Sequence, residues 1–298
     1  MKTGFRVFLG AFVALGFSWC GFVLTPILQL GTQKQVTVLN SSEIYPEQRP
    51  GDATLGLQVY RQAGCAACHT TQLQQDGVAA DLYVTSLGKN APAQFRNLMA
   101  SLLVAPELRH SSNNIAAQVL VWNGKVPQNI VTNLDVEDAN DLLQHITAGG
   151  GKAEVHIVPV GGDIACGWGI RRSVAEDFLW DDPVQLGEVR VGPDLADVGA
   201  RLGNASWQFL HLYAPQAEAK NSAMPPFRFL FKVQKIGGEP SPDALQLPLG
   251  FAPPAGYEII PTTAAKNLVA YLLSLHADVP LHDAPFTPAA APIAETKK

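Results

Sequence analysis

Gly64-Cys65-Ala66-Ala67-Cys68-His69 places two thiols three residues apart, with an imidazole directly behind the second. Thiols so spaced on a tight turn can add across the two vinyl groups of a haem. The next residue then sits under the ring, where its imidazole reaches the iron. Ala66 and Ala67 are small enough to let the porphyrin edge approach the backbone. The stretch is therefore expected to carry one covalent haem c on Cys65 and Cys68, with His69 as an iron ligand. A thiol-redox pair and half of a zinc site are the rival readings. Zinc needs two further ligands, but Cys20 lies in an apolar run and Cys166 stands alone. A redox pair would favour a preceding strand and has no use for His69.

The sixth iron position calls for another donor, and a methionine there raises the potential and suits an electron carrier. The methionines are Met1, Met99 and Met224. Met224 lies in Ser222-Ala223-Met224-Pro225-Pro226, a stiff stretch that can hold a thioether in place, whereas Met99 falls on a helical apolar stripe and reads as core. His110, His145, His156 and His211 are weaker alternatives. Arg190 precedes Gly192-Pro193-Asp194-Leu195, where the Pro193 carbonyl is placed to accept a hydrogen bond from His69 and raise its basicity. Arg190 is expected to partner a propionate and Trp207 to cover the haem edge. Cys166 reads as a buried free thiol.

Outward from this centre the 298 residues divide by texture. Val7 to Leu30 is apolar and uncharged, long enough to span a hydrocarbon core of about 30 Å. Residues 5–30 are read as a retained transmembrane anchor rather than a cleaved leader, because Val23-Leu24-Thr25-Pro26 offers no small-x-small site. Cys20, within the span, reads as a packing residue. Lys2 and Arg6 orient the N-terminus to the cytoplasm and export the rest. Residues 31–54, polar with Pro46 and Pro50, read as a tether. A short helix fits Leu55 to Gly64, with Leu55, Val59 and Tyr60 on its buried face.

Residues 76–163 read as a small α/β module inserted into a haem domain formed by 55–75 and 164–276. Helical spacing appears in Phe95, Leu98, Met99 and Leu102, and again from Val136 to Ile146, capped by Asp135 and ended by Gly149-Gly150-Gly151. Ala153 to Val160 alternates as a strand. Beyond Gly167 come short helices in proline-rich loops, then a helix from Thr262 to His276 with Ala265, Leu268, Val269, Leu272 and Leu275 on one side. The tail, 277–298, is rich in Pro and Ala and is predicted to be disordered.

Tyr60-x4-Cys65-x2-Cys68-His69-Thr70, Arg190-x-Gly192-Pro193-Asp194-Leu195-x2-Val198-Gly199, Trp207-x3-His211-x3-Pro215 and Ser222-x-Met224-Pro225 follow one another after the anchor. In that order they resemble the membrane-anchored monohaem cytochrome c subunit, the second subunit, of cbb3-type haem–copper oxidases. Leu268-Val269-Ala270-Tyr271-Leu272 resembles the closing helix of class I cytochromes c. The resemblance covers residues 5–75 and 165–276. It implies a mainly α chain: one N-terminal transmembrane helix and a class I cytochrome c domain interrupted by the insertion.

It also implies electron transfer to a haem–copper catalytic subunit alongside other cytochrome c subunits, with the soluble part in the periplasm against a bacterial inner membrane. The small cytochrome subunit of a nitric oxide reductase shares this plan, and a non-haem thiol-redox or assembly protein is the alternative of another class. The insertion departs from compact relatives; its order of elements is similar to the C-terminal domain of the bacterial ribosomal stalk protein. No nucleophile–base pair supports chemistry of the chain's own, so enzyme status would come from a complex. A net charge of −5 argues against nucleic acid as a partner.

Overall fold

The computed structural model of the chain describes residues 2–31, 33–87 and 125–288. Its N-terminus is one continuous helical rod: α1 (Lys2–Trp19), a wider π-helical turn over Cys20–Leu24, and α2 (Thr25–Leu30). Pro26 has no N–H to give, and the Thr25 N–H and hydroxyl both bond the Cys20 carbonyl, which opens the turn. Thr3–Gln29 is long and apolar enough to cross a membrane, about 40 Å at 1.5 Å per residue.

The stretch expected to be a loose tether is built into the fold. β1 (Val36–Thr37) and β2 (Ile44–Tyr45) pair antiparallel. Val38 and Tyr45 are buried with Val174, Leu281 and Ala284. Arg171, fully buried, stacks over Tyr45, bonds Asp177 with both terminal nitrogens, and donates from Nε to the Val279 carbonyl. Burial makes that pairing obligatory, since either partner alone would be an uncompensated charge.

α3 (Gly51–Gln62) starts four residues before the predicted helix, with Asp52 in its first turn. Its buried face is Ala53, Gly56, Leu57 and Tyr60, while Leu55 is half exposed. That face crosses the chain's last helix, described below, so closely that a Cβ on Gly56 would lie 1.9 Å from the Asn267 carbonyl oxygen. Tyr60 and Tyr271 meet at 5.3 Å between ring centroids.

β3 (Gly77–Ser86), β4 (Gln128–Leu134) and β5 (Lys152–Val160) form an antiparallel sheet of order β4-β3-β5. α4 (Val136–Ala148) covers one face; its Asp135 cap accepts the Glu137 N–H and Gly149 ends it, as the sequence predicts. Ala80, Leu82, Val84, Val131, Leu142 and Ile146 make a core of its own. The mainly α expectation meets a mixed content of helix and strand. These three strands and the later pair β6 (Phe231–Lys235) and β7 (Tyr257–Pro261) stand beside the helices. The predicted helix around Phe95 to Leu102, with Met99, lies outside the described residues, as does His110.

The haem-motif half also holds α5 (Val198–Arg201), α6 (Ala205–Tyr213) and the closing α7 (Thr263–Leu273). Thr262 caps α7 by accepting the Ala265 N–H, and Ala265, Leu268, Val269 and Leu272 are buried as their spacing predicts. The tail is a second correction. Ala277, Leu281, Ala284 and Phe286 are buried, and Thr287 exchanges two hydrogen bonds with Ile157 on the edge of β5. Its apolar side chains find seats that composition does not reveal. Residues 289–298 lie outside the described residues. Cys166 is exposed, not buried.

Candidate functional site

Gly64 takes a left-handed conformation (φ 72°, ψ 26°), which ends α3 and starts the 3-10 turn Cys65–Ala67. The Cys68 and His69 N–H groups both bond the Cys65 carbonyl, at 3.1 and 3.0 Å, so both thiols and the imidazole leave one compact turn. The two thiols are not joined to each other. Burial pushes the Cys65 thiol up to about 11. A reactive redox dithiol needs the opposite shift, toward thiolate at neutral pH. No cluster of three or more His, Cys, Asp or Glu suited to a metal ion occurs among the described residues.

A second loop clasps this turn through its backbone. Glu188 N–H donates to the Ala66 carbonyl at 2.9 Å, Val191 and Gly192 N–H to the Cys68 carbonyl at 3.0 Å, and Leu195 N–H to the Thr70 carbonyl at 2.8 Å. Gly192 must be glycine, because a Cβ there would lie 2.2 Å from Cε1 of the His69 ring. The loop therefore passes flat against the imidazole and brings the Pro193 carbonyl to 2.8 Å from Nδ1. A carbonyl only accepts, so Nδ1 carries the proton and Nε2 keeps its lone pair. This is the tautomer a metal-binding imidazole requires.

Asp194 holds the loop. Fully buried, it accepts from the Thr70 hydroxyl and from the N–H groups of Gln72 and Ala196. Arg190, the expected propionate partner, is already engaged: Nη1 bonds Asp163 at 2.6 Å, Nε the Thr70 hydroxyl at 3.0 Å, and Nη2 the Gln72 carbonyl at 2.6 Å, with Trp168 beneath the guanidinium. Sequence reasoning missed Asp163, and missed Asp194 as an anchor although it sits inside a quoted motif. Arg201 was missed too; it donates to the Asp194 carbonyl while its Nε is buried without a partner.

Trp207 and His211, one turn apart on α6, stack at 4.7 Å with 9° between their planes. His211 Nδ1 is buried with no hydrogen-bond partner. Burial, and next the nearby His69, hold the His211 pKa below its usual value. Met224 follows in an irregular segment. Its N–H approaches the Ser222 hydroxyl at 3.3 Å, and the Phe227 N–H ties the segment to the Leu212 carbonyl of α6 at 2.8 Å. Met224, Cys65 and Ala66 all pack, partly buried, against the core around Tyr60, Leu212 and Leu268. His145 and His156 lie on α4 and β5, apart from this loop. A cavity of about 570 Å³ lined by Tyr45, Arg49, Trp180, Asp181 and His276 includes none of the residues of the thiol motif.

No curated protein matches the chain. The family model for the cytochrome c oxidase mono-heme subunit, FixO, matches residues 168–242. The matched quarter of the chain contains Arg190, Pro193, Trp207 and Met224, and begins after Cys65, Cys68 and His69. Over that quarter the chain is similar to a mono-heme subunit of cytochrome c oxidase.

Proposed function

We propose that the chain carries one haem c, thioether-bound to Cys65 and Cys68, with His69 and Met224 as axial ligands, and passes its electrons to the catalytic subunit of a cbb3-type oxidase. Bound there, the haem supplies a one-electron couple. The observation that carries the reading is the His69–Pro193 hydrogen bond, which presents Nε2 as a free donor beside two unpaired thiols. His69 supplies a basic nitrogen, Gly192 leaves room for its ring, and Trp207 with His211 forms a flat wall that excludes water. Residues 55–75 and 164–276 act as a class I cytochrome c domain, interrupted by the module at 76–163. The helix Thr3–Gln29 anchors the chain in a bacterial inner membrane, with the haem domain in the periplasm beside other cytochrome subunits.

The sixth ligand gives the test. A thioether favours reduced iron, so the oxidised protein is expected to show the weak far-red band of methionine ligation. Met224→Ala should abolish the band, lower the potential and open the iron to carbon monoxide. Met99→Leu should leave all three unchanged. Loss of the band in Met99→Leu with its survival in Met224→Ala would overturn the assignment; absence of the band from the oxidised wild type would move it to a histidine such as His211.

A further inference from the structure

The sheet β4-β3-β5 leaves and rejoins the chain at one point. Asp76 N–H donates to the Val160 carbonyl at 2.8 Å, and a Cβ on Gly161 would stand 2.9 Å from the Asp76 nitrogen. Just beyond this root is Asp163, whose side chain is 8% exposed. One of its oxygens accepts the Gln74 N–H at 2.7 Å and the other accepts from Arg190 at 2.6 Å. Arg190 continues to the Thr70 hydroxyl, and Thr70 donates to Asp194. Thr70 follows His69 in the chain and Asp194 follows Pro193. The contacts thus run from the root of the sheet to both ends of the His69–Pro193 hydrogen bond. Arg190 fits this task because its planar fork spreads donors over three separated partners, where a lysine offers a single point of charge.

We infer that Asp163 and Arg190 are positioning residues for His69, a clamp through which the seating of the sheet sets the basicity of the imidazole. The inference rests on the haem reading above. A well-aligned Nδ1–H···O bond gives the ring imidazolate character, which favours oxidised iron. Slack in the clamp weakens that bond and raises the potential.

The test is the reduction potential of the haem in the purified full-length complex, measured for Asp163→Asn, Arg190→Gln and Thr70→Val. All three are expected to shift upward while covalent haem content is unchanged. A pair acting through charge alone would move the first two in opposite directions, because one variant removes a negative charge and the other a positive one. Opposite shifts, or no shift in any variant, overturn the clamp. If Arg190→Gln does not accumulate, Thr70→Val decides, since it keeps both charges: an upward shift supports the clamp and an unchanged potential overturns it. A wild-type protein without a pyridine haemochrome spectrum would instead refute the haem reading beneath it.

Discussion

At Asp197 a single carboxylate shows how tightly the haem-motif half is closed. It is almost fully buried and accepts the Ala277 N–H at 2.8 Å, pinning the start of the tail against α5. Burial raises its pKa from 3.8 to about 6, with the Ala277 hydrogen bond opposing the rise. The folded chain therefore holds this proton more tightly than the unfolded one. Its contribution to stability is present below pH 3.8 and is lost as pH climbs through about 6. Asp197→Asn keeps an acceptor for Ala277 but cannot ionise. Relative to wild type, the variant should gain on the order of 2 kcal/mol between pH 4 and 7 in chemical denaturation. A difference that is flat or of opposite slope would contradict this account of the burial.

The crossing of α3 and α7 is where helix-level packing is most exacting. Gly56 has no room for a methyl group: besides the Asn267 carbonyl, a Cβ would lie 2.7 Å from the Tyr271 Cβ. Gly56→Ala should separate the helices and cost about 3 kcal/mol, while Gly51→Ala on the same helix, where nothing lies within 4 Å, should be neutral or slightly stabilising. Urea denaturation of the two variants measures the difference; equal stabilities would mean the helices do not meet there. The elements readable in sequence are those with local signals. The Asp135 and Thr262 caps, the Gly149-Gly150-Gly151 stop and the apolar spacing of α4 and α7 each act within about a turn. β3 and β4 were not legible, because Ala79, Ala80 and Asp81 lack β-branching and the strand's partners lie some fifty residues away or more. The site divides the same way. Cys65, Cys68 and His69 form a contiguous motif, whereas Asp163 meets Arg190 only through the fold.

Over the whole molecule, segments expected to hang free are what tie the parts together. The hairpin after the long apolar helix, the Arg171–Asp177 pair, and Leu281 and Ala284 of the tail meet around one small core. The tail also reaches the sheet, through Thr287 and Ile157. A chain ending after Pro288 is the reference for thermal stability. Ending it after His276 should lower it clearly, since Leu281, Ala284 and Phe286 lose their buried seats. Equal melting of the two truncations would restore the reading of a free tail. All of this architecture converges on one turn with two thiols and an imidazole whose Nε2 is left free. The most direct measurement is the intact mass of the purified chain after acid–acetone extraction and denaturation. The account expects the polypeptide plus one haem, with that increment lost when Cys65 and Cys68 are both replaced by serine. A wild-type mass equal to the bare polypeptide would contradict covalent attachment at Cys65 and Cys68, and with it the central claim.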